Sequence, residues 1–126
     1  MGDLSAAINL SKSLVQTEYN RGNFAAVENH FNTIIDKFAN SDNKLLAVAY
    51  NNRGHARYLQ VRFTEAEADY DEAVRLDRSL AVAYYNRGTV RYRMGDMEGA
   101  GRDLRRAVEL EPENGEFREG LKSCSS

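Results

Sequence analysis

The stretch Ala47-Val48-Ala49-Tyr50-Asn51-Asn52-Arg53-Gly54-His55-Ala56-Arg57-Tyr58 returns 34 residues later as Ala81-Val82-Ala83-Tyr84-Tyr85-Asn86-Arg87-Gly88-Thr89-Val90-Arg91-Tyr92. Beyond it, Ala66 falls on Ala100, Asp69 on Asp103, Ala73-Val74 on Ala107-Val108 and Leu76 on Leu110. Laid over each other without a gap, 47–80 and 81–114 agree at 14 of 34 positions. Unrelated sequence would agree at about two, so the segment is duplicated. In the second of these copies, apolar residues recur at helical spacing on both sides of Gly95-Asp96, a turn signal, which gives two amphipathic helices. Three positions hold a small residue in both copies: Gly54 and Gly88, Ala66 and Ala100, Ala73 and Ala107. Small side chains there let paired helices, and then neighbouring pairs, approach closely.

An earlier, worn copy precedes these two. With Gly22 in the turn, Tyr19 aligns with Tyr58 and Tyr92, and Phe24 with Phe63 and Met97. Val15, Val27 and Ile34 then take the three small positions, so looser or shifted packing is expected at this end. Residues 42–46 read as an insertion, a short loop with an early start to the next helix. After Asn114, 116–122 reads as a cap whose Phe117 and Leu121, four apart, cover an apolar face. The expected repeats are about 8–41, 47–80 and 81–114, with a cap over 115–122. Gly99, Gly101 and Gly120 weaken helices by about 1 kcal/mol each relative to Ala, so the C-terminal third is expected to fray first.

A 34-residue helical hairpin with these small positions, closed by Pro112 in the last copy, resembles the tetratricopeptide repeat (TPR). The resemblance implies an all-α, right-handed superhelical stack of three TPR helix-turn-helix repeats plus a short C-terminal capping helix, with 1–126 as a single domain. It also implies a concave groove lined by the first helix of each pair and a convex back formed by the second. The implied function is a protein–protein interaction module or adaptor that takes an extended segment of a partner, acidic if the groove is positive. Two alternatives are a scaffold subunit docking through convex or end surfaces, and a co-chaperone with a degenerate carboxylate clamp.

Composition narrows the field. A net charge of −2 opposes a dedicated nucleic-acid binder. One cysteine, Cys124, fits a reducing, cytoplasmic setting, and no apolar run is long enough to span a bilayer. His30 and His55 stand in different helices without metal spacing, and no phosphate loop or nucleophile–base set is visible. The reading is a protein or peptide partner, with no enzyme activity, small-molecule substrate, cofactor, metal, nucleic acid or membrane.

Charge segregates by helix. The segments 43–62 and 79–95 carry Lys44, Arg53, Arg57, Arg62, Arg87, Arg91 and Arg93 and no acid. Helix 63–77 is strongly acidic. A positive groove would follow. Yet Arg53 occurs with Asp69 and Arg87 with Asp103, whereas the first copy has Leu14 and His30 there, so both partners are missing together. That pattern predicts a structural ion pair between helices and leaves Lys12, Arg57, Arg91 and Arg93 for the groove.

Some tetratricopeptide domains grip carboxylate tails with Lys and Asn in the first repeat, Asn in the second, and Lys and Arg in the third. Carried across by that resemblance, Lys12 matches, Gln16 is a longer amide, and Asn52 matches. Val82 and Asn86 stand where the bases belong, so the clamp reads as incomplete. The remaining candidates for the groove are Tyr19, Tyr58 and Tyr92 in register, with His55, Tyr85, Thr89 and Arg93. Amides bond an extended backbone and rings cover its side chains.

Overall fold

The computed structural model describes residues 4–125. It contains seven helices among the described residues: α1 (Leu4–Asn20), α2 (Phe24–Lys37), α3 (Asn43–Leu59), α4 (Phe63–Leu76), α5 (Ala81–Arg93), α6 (Met97–Leu110) and α7 (Gly115–Ser125). Each helix packs on the next, and α1 also touches α3, α3 touches α5 and α5 touches α7. The result is a stack of three helical hairpins with α7 on its end.

Polar side chains fix where helices begin. Asp42 accepts hydrogen bonds from the Lys44 and Leu45 amides at 2.9 and 3.1 Å, so α3 starts inside the inserted segment. Asp96 caps α6 through the Gly99 amide at 2.9 Å, and Asn114 receives the Phe117 amide at 3.1 Å. The three hairpin turns each place one residue at positive φ in the same position: Gly22 at 73°, Val61 at 63° and Gly95 at 89°. Val61 is the outlier, since a β-branched side chain is strained there.

Close approach follows from the small positions. A methyl group on Gly54 would stand 2.8 Å from a Tyr70 ring carbon, and one on Gly88 would stand 3.0 Å from Leu104 Cγ. Ala47, Ala73 and Ala83 meet with no exposed surface between the second and third hairpins. The first hairpin has a bulkier interior, with Val27, Phe31, Ile34, Ile35 and Phe38 buried against Leu46. At the other end Phe117 is buried with Ala81 and Ala107 and stacks on Tyr85 at 4.8 Å between ring centroids. No helix among the described residues is long and apolar enough to cross a membrane.

Candidate functional site

The arginines of the first helices do not form a free positive groove. Arg53 holds Asp69 with two hydrogen bonds at 3.0 and 2.7 Å, and Arg87 holds Asp103 with two at 2.9 and 2.8 Å. The paired arginine and aspartate read from the sequence are thus bidentate bridges between the helices of one hairpin. Arg57 and Arg91, expected as groove cations, are engaged as well. Each donates to the aspartate of its own hairpin, at 3.1 and 3.0 Å, and to a glutamate of the preceding one, Glu28 or Glu67, at 2.8 Å. Arg53 also reaches Asn32 at 3.1 Å and Arg87 reaches Asp71 at 3.0 Å. Each arginine therefore spans three helices, and the same ladder stitches both junctions of the stack.

Arg62 completes the first junction by bonding Glu28 at 2.6 Å and Glu65. Burial alone would raise the Glu28 carboxyl, but hydrogen bonds from Arg62, Arg57 and Gln60 overcome this and hold it at about 2. In the first hairpin the ladder fails. The Nε2 of His30 is buried without a hydrogen-bond partner, and the side chain of Leu14 lies outside the described residues.

With the arginines engaged, the inner face of α1, α3 and α5 is aromatic and amide-rich. The Tyr19, His55 and Tyr58 rings lie in sequence, with centroids 5.7 and 6.4 Å apart. Burial pushes the Tyr19 hydroxyl up to about 12 and lowers His55, favouring a neutral imidazole. Arg93 covers the Tyr58 and Phe63 rings and donates to the Tyr58 hydroxyl at 3.3 Å. A hollow of about 110 Å³ joins His55 and Tyr58 to Tyr85, Asn86 and Thr89. The Thr89 hydroxyl itself bonds the Tyr85 carbonyl at 3.0 Å.

A larger adjoining hollow, about 350 Å³, brings Asn52 and His55 together with Val82 and Asn86, walled by Tyr85. Two of its members were not among the residues singled out from the sequence. Asn51 is buried and accepts a hydrogen bond from the Asn86 amide at 3.0 Å, across the hairpin junction. Glu116 enters from the first turn of α7. Duplication hides both, because Asn51 aligns with Tyr85 and α7 has no counterpart in the earlier copies.

The other candidates lie apart. Lys12 and Gln16 are exposed on α1, and the Gln16 amide bonds Asn20 at 3.0 Å. Tyr92 is exposed beside a third hollow, about 230 Å³, between α5 and α7 near Gly120 and Cys124. No group of three His, Cys, Asp or Glu side chains with metal-binding geometry occurs among the described residues.

Two family models match the chain: "TPR repeat" over residues 54–95 and "Tetratricopeptide repeat" over 81–114. Protein unc-45 homolog B of Xenopus laevis is 30% identical over 86 residues, and that of Xenopus tropicalis 33% over 81. Those stretches cover 68% and 64% of this chain, which spans only 9% of the length of either relative. Among solved structures, the first TPR of Spaghetti (RPAP3) bound to HSP90 peptide SRMEEVD superposes with a TM-score of 0.85 at 28% identity, covering 98% of this chain and 96% of the other. The Arabidopsis OM64 TPR domain gives 0.83 at 26%, covering 98% of both chains. The first TPR domain of the human RPAP3 protein gives 0.81 at 29%, covering 98% of this chain and 92% of the other.

Proposed function

We propose that this chain, which belongs to the tetratricopeptide repeat family, is an interaction module that holds an extended segment of a partner protein along the inner face of α1, α3 and α5. The observation that carries the reading is the pair of neighbouring hollows that share His55, Tyr85 and Asn86, the larger also lined by Asn52. Amides there are suited to an extended backbone, and the rings beside them to its side chains. The arginine ladder is spent on holding the hairpins together, so the groove recognises by shape and hydrogen bonds rather than by bulk positive charge.

The test is fluorescence polarisation with peptides selected from a displayed random library. Asn52→Ala is expected to weaken binding about fivefold, the worth of one hydrogen bond of roughly 1 kcal/mol. Only a modest dependence on salt is expected, because the face carries no dense cluster of free cations. Binding that is untouched by Asn52→Ala and collapses with salt would move the contact to another surface.

A second reading, a co-chaperone grip on acidic tails, is favoured by the HSP90 peptide in the similar Spaghetti domain. For this chain it requires Lys12 and Asn52 to act without the two bases replaced by Val82 and Asn86. The peptide SRMEEVD is therefore expected to bind poorly. Val82→Lys with Asn86→Arg is expected to strengthen it by roughly 10²- to 10⁴-fold, the worth of two charged hydrogen bonds. Tight binding by the unaltered chain would instead establish the co-chaperone reading.

A further inference from the structure

The larger hollow has a charge of its own. Glu116 is the one carboxylate among its lining residues, beside the Asn51, Asn52 and Asn86 amides, the His55 imidazole, the Tyr85 ring and the apolar Val82. Of the groove cations read from the sequence, Arg93 sits over Tyr58 and Phe63, Arg57 and Arg91 belong to the ladder, and neither these nor Lys12 line this hollow. Burial favours the neutral form of His55. Glu116 is exposed in the first turn of α7, on a stretch of backbone that is held in place. Its neighbour Phe117 is buried on Tyr85, and the Phe117 amide is bonded to Asn114. Gly120 lets α7 sit this close, since a methyl group there would stand 2.9 Å from a Tyr85 ring carbon. A carboxylate on the rim of such a hollow attracts a cation and repels an anion.

We infer that the segment held in the groove carries a basic side chain, lysine or arginine, opposite Glu116. The inference rests on the peptide-groove reading above and reverses the acidic preference that a positive groove would have implied. Amides on either side of the hollow accept the partner's backbone while Glu116 receives the ammonium or guanidinium. An acidic side chain in the same register meets the negative charge of Glu116 instead.

An array of immobilised degenerate octapeptides tests this, each pool fixing Lys, Arg, Ala or Glu at one position, probed with the labelled full chain. One register is expected to favour Lys or Arg over Glu by roughly three- to tenfold, the range of a single, partly solvated ion pair. Glu116→Gln is expected to bring that ratio to about one, and Glu116→Arg to reverse it. Arg118→Gln, an exposed change on the same helix, is expected to keep the preference. Selective binding with Glu favoured, or a Lys preference indifferent to both Glu116 variants, would overturn the inference while leaving the groove intact. Binding that ignores Asn52→Ala, or no binding by any pool, would overturn the groove reading and the inference with it.

Discussion

Asp69 and Asp103 are the residues on which each hairpin junction turns. The Asp69 side chain is 3% exposed, and it receives both Arg53 and Arg57. Removing it takes the shared carboxylate from two largely buried guanidinium groups, leaving Arg53 with the neutral Asn32 and Arg57 with Glu28, and breaking a buried pair typically costs about 3–5 kcal/mol. Asp69→Ala should therefore lower the urea midpoint sharply. Breaking the solvent-exposed Glu72–Arg75 pair with Glu72→Ala should cost less than about 1 kcal/mol. Similar losses for the two variants would deny the ladder its structural role. Glu28 gives the same junction a pH signature. Its carboxyl lies at about 2 in the folded chain against an ordinary 4.5, so its contribution is present above 4.5 and is lost as pH falls toward 2. Acid titration of stability should show a flatter slope for Glu28→Gln than for the wild type within that window.

At the level of the helices, packing and turns make opposite predictions for glycine. Gly54→Ala places a methyl 2.8 Å from Tyr70 and 3.1 Å from Asp69 Cβ, so α3 and α4 must part. A loss of about 1–3 kcal/mol is expected. Gly101→Ala meets only the flexible Arg105 guanidinium, at 3.3 Å, and should gain up to about 1 kcal/mol from helix propensity. Val61→Gly should also stabilise, by about 1 kcal/mol, because it relieves a branched side chain at φ 63° where the equivalent turns carry Gly22 and Gly95. Denaturant midpoints of the three variants decide these signs. The repeat period made the hairpins, the small positions and the Arg53–Asp69 pairing legible before any coordinates. Arg57 and Arg91 were misplaced because half of their partners, Glu28 and Glu67, stand on the preceding hairpin. The alignment that sets Tyr19 on Tyr58 also sets Glu28 on Glu67, but it does not say that these acids reach the next hairpin.

For the whole molecule, the consequence is a division of labour between two faces of the same helices. One side of α3 and α5 sends arginines into the ladder that binds the hairpins together. The other side carries Asn52, His55, Tyr58, Asn86 and Thr89 around two neighbouring hollows. All five were already assigned to one face by the repeat alignment together with the family resemblance. Asn51 and Glu116 escaped because a buried cross-hairpin amide and a carboxylate delivered by α7 are products of tertiary placement. Amide NMR of the full chain, titrated with the tightest peptide from the displayed library, tests the central claim most directly. Shifts centred on Asn52, His55, Asn86, Thr89 and Glu116 are the predicted result, whereas shifts confined to the outer faces of α4 and α6 would contradict it.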